Sequence, residues 1–521
     1  MRGIADRSAE DASRFGRRAF IRTAALGAVA GGTGVLPALL ASPPAAAAGT
    51  FVPTDPDLHL LRRATYGPTA RSLRSIRRMG SSAWLDRQLD PAGIDDAFVE
   101  DVVASRYPNL TLGVAEAYRT IGGSWDLMFE LGQAAILRAA WSERQLLEIM
   151  VDFWSNHLNV TNPSDNVWWS RHDYDRRVIR KFALGKFSQM LKASATHPAM
   201  MMYLNNAEST KDNPNENYGR ELLELHTLGL AGGYDEEDMR QSTLVMTGFG
   251  ISWDTGEFAY DKWNHYVGPV SLVGWSAPNG TANGGYDVGL DFVDHLAHHP
   301  STAVRIATKL CERFVSDEPQ PALVDRLAKA YLDHDTAIAP VLHLLFRSKA
   351  FAGAVGTKVR RPMEDVVATL RILGIQPDAS GTNGLQGLSW MIEGLSHAPM
   401  AWKQPNGYPD VASAWTSAGG TLNSWNTHVS LAAHWWPDAL QLPPLKDTVL
   451  PRPLPPTYGG LVDAVAHKLV FRKLAPAHRD AVLTFLGKTA GSALTRGDAA
   501  VTWRLPYLVA IILDSPYHGI R

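Results

Sequence analysis

The stretch "NPNENYGRELLELHTLG", residues 213–229, gathers carboxamides, three carboxylates, an arginine and a histidine within one short run. A helix beginning near Asn215 sets Asn217, Glu221 and Glu224 at i, i+4 and i+7, on one stripe. Leu222, Leu223 and Leu225 cover the flanks. Carboxylates beside such leucines are costly to bury unless a basic group or a cation answers them. Arg220, four residues before Glu224, is one such basic group, and His226 closes the polar run.

A second stretch offers a matching face. In "ERQLLEIMVDFWSNHLNV", Glu148, Asp152 and Asn156 recur at four-residue steps and His157 adjoins them. Facing one another, Asp152, Asn156, Glu221 and Glu224 would make an oxygen-rich set for a divalent metal ion. Mg, Ca, Mn or Fe suits such ligands, with His157 and His226 as further ligands or proton carriers. Without a metal, Glu221 and Glu224 read as an acid/base pair, as in glycoside cleavage. Asn217, Arg220, Trp168, Trp169 and Trp402 are the candidate substrate contacts, since aromatic faces beside polar groups suit sugar rings. The competing reading is a hydrogen-bonded staple between buried helices, with tryptophan as core filler.

Other chemistries lack their signatures. No GxSxG elbow, HExxH, Walker A motif or strand-borne GxGxxG occurs, and no Glu-x-x-His di-iron pattern accompanies "ELLEL". His295 and His299 in "HLAHHP" stand at i, i+4, a spacing shared by weak metal sites and solvated helix ends. Cys311 is alone, so the chain has no disulfide, no iron–sulfur cluster and no CxxCH haem attachment.

These residues need helices to carry them. Apolar residues recur at three- and four-residue steps through "SLRSIRRMGSSAWLDRQLD" and "PALVDRLAKAYLDHDTAIAPVLHLLFRSKAF". The spacing predicts a mainly α protein: one large helical domain over 49–521, with a minor β-strand pair around 243–268. "GPVSLVGWSAPNGTANGGYD" reads as a Gly/Asn-rich loop and "QLPPLKDTVLPRPLPPTYGG" as an extended Pro-rich connection. A content of 45% hydrophobic and 20% charged residues places the chain among ordinary globular proteins.

Residues 1–48 read as a leader. Arg17 and Arg18 precede Phe20, Ile21 and a soft Ala/Gly-rich run, and "PPAAAAGT" offers a cleavage site near Ala48. That is the twin-arginine export pattern, so the expected location is secreted or cell-envelope. The leader carries six arginines against three acids, which turns a net charge of -2 into -5 for the mature part. No basic stripe remains for nucleic acid, and no apolar run after the leader is long enough for a permanent membrane span.

Read together, several motifs resemble those of the bacterial family called domain of unknown function 1800. They are "HLLRRATYGPT", "WLDRQL", "FWSNHLNV", "HPAMMMYLNN", "NPNENYGRELLELHTLG", "TGFGISW", "KVRRPMEDVVATLRILG", "PNGYPD" and "LDSPYH", in this order from 59 to 518. The resemblance implies an exported, mostly helical protein and names no activity. Family members tend to carry an aspartate after the histidine of the strand pair and a lysine downstream. Here Tyr266 follows His265, and "VGPVSLVG" has no lysine.

The expected function is a metal-dependent enzyme, a hydrolase by preference, that hydrolyses or modifies an extracellular polymer such as a glycan, or a small-molecule substrate, at a cleft between helices 143–160 and 215–228. A non-enzymatic secreted binding protein and a metal-containing oxidoreductase stand as alternatives. Replacing Arg17 and Arg18 together by Lys is expected to leave uncleaved precursor inside the cell, seen by immunoblotting cell and culture fractions. Unchanged secretion would overturn the export reading.

Overall fold

In the computed structural model, which describes residues 51–521, helices begin where cap residues stand. The leader and its cleavage site lie outside the described residues. Asp55 opens α1 (Pro56–Ala64) by accepting from the N–H groups of Asp57 and Leu58 at 2.9 and 3.1 Å. In α2 (Gln145–His157), Leu146, Ile149, Met150, Phe153 and Trp154 turn into the core and leave the polar stripe on another side. Asn215 caps α3 (Glu216–Glu221) through the Asn217 N–H, and the chain then widens into a π-helical turn, Leu222–His226. A capping box at Asp235 starts α4 (Glu236–Val245).

That cap corrects the strand window. Residues 243–245 still belong to α4, and the pair consists of β1 (Phe249–Ile251) with β2 (Phe258–Tyr260), antiparallel. A second hairpin, β3 (Val270–Leu272) with β4 (Trp275–Ala277), occupies the stretch read as a loop. Val270 and Leu272 are buried and Ser271 is exposed, a two-residue alternation too short to stand out among glycines. Val273 and Gly274 turn the hairpin, both at positive φ (41° and 78°), as tight hairpins require.

Downstream, α5 (Pro300–Phe314) buries Ala303, Ile306, Ala307, Leu310, Cys311 and Phe314 and presents Arg305, Lys309 and Glu312 on its other face. Helix α6 (Pro362–Leu373) has Pro362 at its first position and ends at Gly374, whose φ of 70° suits the left-handed cap. Helix α7 (Ala418–Ala432) packs on α6, and the short α8 (Pro516–Gly519) follows near the end of the sequence. One continuous cluster of buried apolar side chains runs from Leu60 to Tyr517. Among the described residues no helix is long and apolar enough to cross a membrane.

The N-terminus of α6 carries a buried ionic knot. Glu364 accepts from Arg313, from Arg361 Nε and Nη2 at 3.1 and 3.0 Å, and faces Arg521 Nη1 at 3.4 Å. Asp410 meets Arg313 at 3.3 Å and Lys358 at 3.7 Å, Lys358 also holds Asp317, and Arg361 holds Asp152. Four cations thus face four carboxylates from five separate parts of the sequence. The guanidiniums outweigh the burial penalty on Glu364 and hold its carboxyl well below the usual range. A depressed carboxyl contributes stability that is present above its unfolded pKa and lost as pH falls through the folded one. Glu364→Gln is expected to cost about 3–5 kcal/mol at pH 7 in urea denaturation, because the arginines stay buried without their counter-charge. A cost below about 1 kcal/mol would show that the knot is not needed.

Candidate functional site

The π turn decides what the opening stretch presents. Its wider pitch changes the facing of the residues that follow α3, as π turns at functional sites often do. His226 turns inward and is buried near Tyr218, with ring centroids 6.4 Å apart. Leu225 offers its carbonyl to Arg305 Nε at 3.1 Å. Helix α3 crosses α4 so closely that a Cβ on Gly219 would meet Thr243 Oγ1 at 2.4 Å and its Cα at 2.8 Å. The backbone leading into Glu221 is therefore seated directly on α4.

Glu221 and Glu224 are half-buried, and neither has a hydrogen-bond or ion-pair partner among the described residues. Burial first, and the neighbouring Glu224 charge second, push the Glu221 carboxyl up. Arg220 points away: it pairs with Glu216 at 3.3 Å and Glu236 at 3.4 Å rather than with Glu224. Asn217 is exposed. Two tyrosines sense the pair, for burial and then Glu221 raise Tyr203, while burial and then Glu224 raise Tyr234. Tyr203 donates to the Lys403 carbonyl at 2.9 Å and accepts from Thr161 at 3.0 Å.

Behind the pair lies a basic relay. His157 donates from Nε2 to the His226 carbonyl at 3.0 Å, which leaves Nδ1 to accept from Lys309 Nζ at 3.2 Å. Burial, then the adjacent Arg305, push the Lys309 ammonium down to about 8. Both ring nitrogens of His226 are buried and lack a partner, and burial pushes that imidazole down to about 3. Arg305, Lys309 and Glu312 were legible as an i, i+4, i+7 stripe in "STAVRIATKLCERF", and the sequence reading did not use them.

The α2 stripe has a different fate. Glu148 is locked to Arg180 at 2.5 and 2.9 Å, and Asp152 is held by Arg361 in the ionic knot. Asn156 accepts from the Tyr408 N–H at 3.0 Å. Gly407, at φ 70°, lets that loop in: a Cβ there would stand 2.1 Å from the Asn156 carbonyl oxygen. Asp152 and Asn156 are thus occupied as staples. Asp152, Glu221 and Glu224 do not form a compact group of donor atoms, whereas Asp365, His428 and His518 do. Of the expected metal set, the α2 members Asp152 and Asn156 are thus engaged by residues distant in sequence, and Glu221 and Glu224 are not.

Of the aromatic candidates, Trp169 is buried, with its indole N–H on the Gly256 carbonyl at 3.0 Å, and so belongs to the core. Trp168 is partly exposed and stacks on Tyr118 at 6.0 Å. Trp402 is also partly exposed, 5.1 Å from Tyr408, and Trp415 extends this group at 5.7 Å from Tyr408. His265 is a buried structural histidine between the Thr247 carbonyl (2.8 Å) and Asn279 (3.0 Å).

The profile of the family described as "Protein of unknown function (DUF1800)" matches residues 59–518. The chain belongs to the DUF1800 family. No curated protein and no solved structure matches it. In this DUF1800 chain the matched span contains the unpaired glutamates, the basic relay and all of the ionic knot except Arg521.

A raised glutamate carboxyl costs stability once ionised, so the cost appears as pH rises through its folded pKa. Glu221→Gln is therefore expected to raise the melting temperature at pH 7–8. The gain should vanish below the ordinary glutamate pKa, where the wild-type carboxyl is protonated too. Differential scanning calorimetry across pH checks this; a mutant less stable at pH 8 would mean that Glu221 has a basic partner.

Proposed function

We propose that this protein is an exported enzyme that hydrolyses an extracellular polymer, a glycan being the best fit, by acid–base chemistry at Glu221 and Glu224. The supporting observation is the pair itself: two half-buried carboxylates that feel each other's charge and have no hydrogen-bonded or ion-paired cation among the described residues. Burial and the neighbouring Glu224 charge favour the protonated form of Glu221, which suits it to the acid role. In this reading Glu221 protonates the leaving oxygen while Glu224 takes a proton from the attacking water. Lys309 and His157 restore the proton balance between turnovers. Arg305 steadies negative charge next to Glu224. A metal-assisted version would need ligands beyond the two glutamates, since Asp152 and Asn156 are engaged elsewhere.

Trp402, Tyr408 and Trp415 support a second reading, a protein that holds a sugar chain without cleaving it. Both are tested by incubating the purified mature protein with a panel of soluble and insoluble bacterial and plant glycans. Reducing-end release and pull-down are measured in parallel. The enzyme reading expects release that falls about 10²–10⁴-fold in Glu221→Gln, with glycan retention unchanged. Retention without release, lost in Trp402→Ala and untouched by Glu221→Gln, would replace it with the binding reading.

A further inference from the structure

Away from the glutamate pair, three donors from α6, α7 and α8 meet in the interior. Asp365, His428 and His518 are 8%, 2% and 4% exposed, and their donor atoms all lie within 4.8 Å of one another. His428 Nε2 stands 3.0 Å from Asp365 Oδ2, and His518 Nε2 stands 3.4 Å from Asp365 Oδ1. Two ligands at about 2.1 Å from one ion, set at tetrahedral or octahedral angles, are separated by about 3.0–3.4 Å. The contacts therefore have the length of edges in a coordination sphere.

The angles agree. Despite the 3.0 Å approach, His428 Nε2 makes no hydrogen bond of acceptable geometry and counts as an unpartnered buried nitrogen. On the far side of the ring, His428 Nδ1 is 2.7 Å from Asp514 Oδ1. A carboxylate behind a metal-binding histidine fixes the tautomer that leaves Nε2 free to ligate. The two imidazoles stand edge to face, 5.6 Å apart at 82°, and Thr369 Oγ1 lies 3.2 Å from His518 Nε2.

We propose that Asp365, His428 and His518 bind one divalent transition-metal ion, with Asp514 orienting His428. Two imidazoles and a carboxylate suit zinc, iron(II), manganese or cobalt better than calcium or magnesium. Thr369 or a water completes the sphere. The site is closed, so the ion's work is to clamp residues 514–518 onto α6. The competing arrangement is a protonated His428 wedged between the two aspartates with no ion, and the pull of Asp365 and Asp514 does raise that imidazole, to about 10.

The test uses the full chain, stripped with chelator under folded conditions. It is then exposed singly to zinc, manganese, cobalt and, without oxygen, iron(II), and metal is counted by mass spectrometry after gel filtration. About one ion per chain is expected, with a chelator-sensitive melting temperature. His518→Gln should abolish retention, and Asp514→Asn should weaken affinity about 10–100-fold. The cobalt form should show ligand-field absorption that is lost in His518→Gln. Should His518→Gln fail to fold, the Asp514→Asn affinity and the cobalt spectrum decide. Glu221→Gln is expected to retain metal like wild type, which keeps this site separate from the glutamate pair. Folded wild type that retains none of the four ions would overturn the proposal, as would equal retention by His518→Gln.

Discussion

Glu364 sits where water cannot answer its charge, and the cost of holding an ion there depends on Arg313, Arg361 and Arg521 arriving together. Each buried ion alone would cost several kcal/mol, and only convergence makes the sum tolerable. That requirement fixes much else. Arg361 reaches on to Asp152 and so sets α2 against α6. Arg313 and Lys358 reach Asp410 and so draw in the loop that Gly407 seats on Asn156.

The knot explains a contrast across the polar interior. Every carboxylate on the α2 stripe has a basic or amide partner, as expected of groups that hold helices together. Glu221 and Glu224 have none among the described residues, although the Arg305 charge reaches Glu224. A fold that pairs Glu148, Asp152 and Glu364 so closely leaves these two without an ion pair among the described residues. Uncompensated charge costs stability, and proteins keep such sites mostly where chemistry requires them.

The helical architecture was legible because apolar spacing and caps are local: Asp55, Asn215 and Gly374 announce their helix ends within a few residues. The β3–β4 hairpin was not, since one exposed serine between two buried side chains is a weak alternation. Glu221 and Glu224 were legible as carboxylates among leucines. The fate of Asp152 was not, since its partner Arg361 lies far along the sequence. Asp365, His428 and His518 form no sequence motif, because their spacing is set by how α6, α7 and α8 pack. "KVRRPMEDVVATLRILG" and "LDSPYH" carried that chemistry while reading only as marks of family resemblance.

Arg521 has a further consequence for the history of each molecule. Synthesis proceeds from the N-terminus, so Arg313, Arg361 and Glu364 are made long before Arg521 can join them. Residues 519–521 are also tied by their backbone to the strand-like segment at Lys358–Arg360, through Arg360 N–H to Gly519 and Arg521 N–H to Lys358. Side chain and backbone therefore act on the same point: the segment that brings Arg521 to Glu364 is itself laced to the segment that carries Lys358, so loosening either one loosens the buried charges of both.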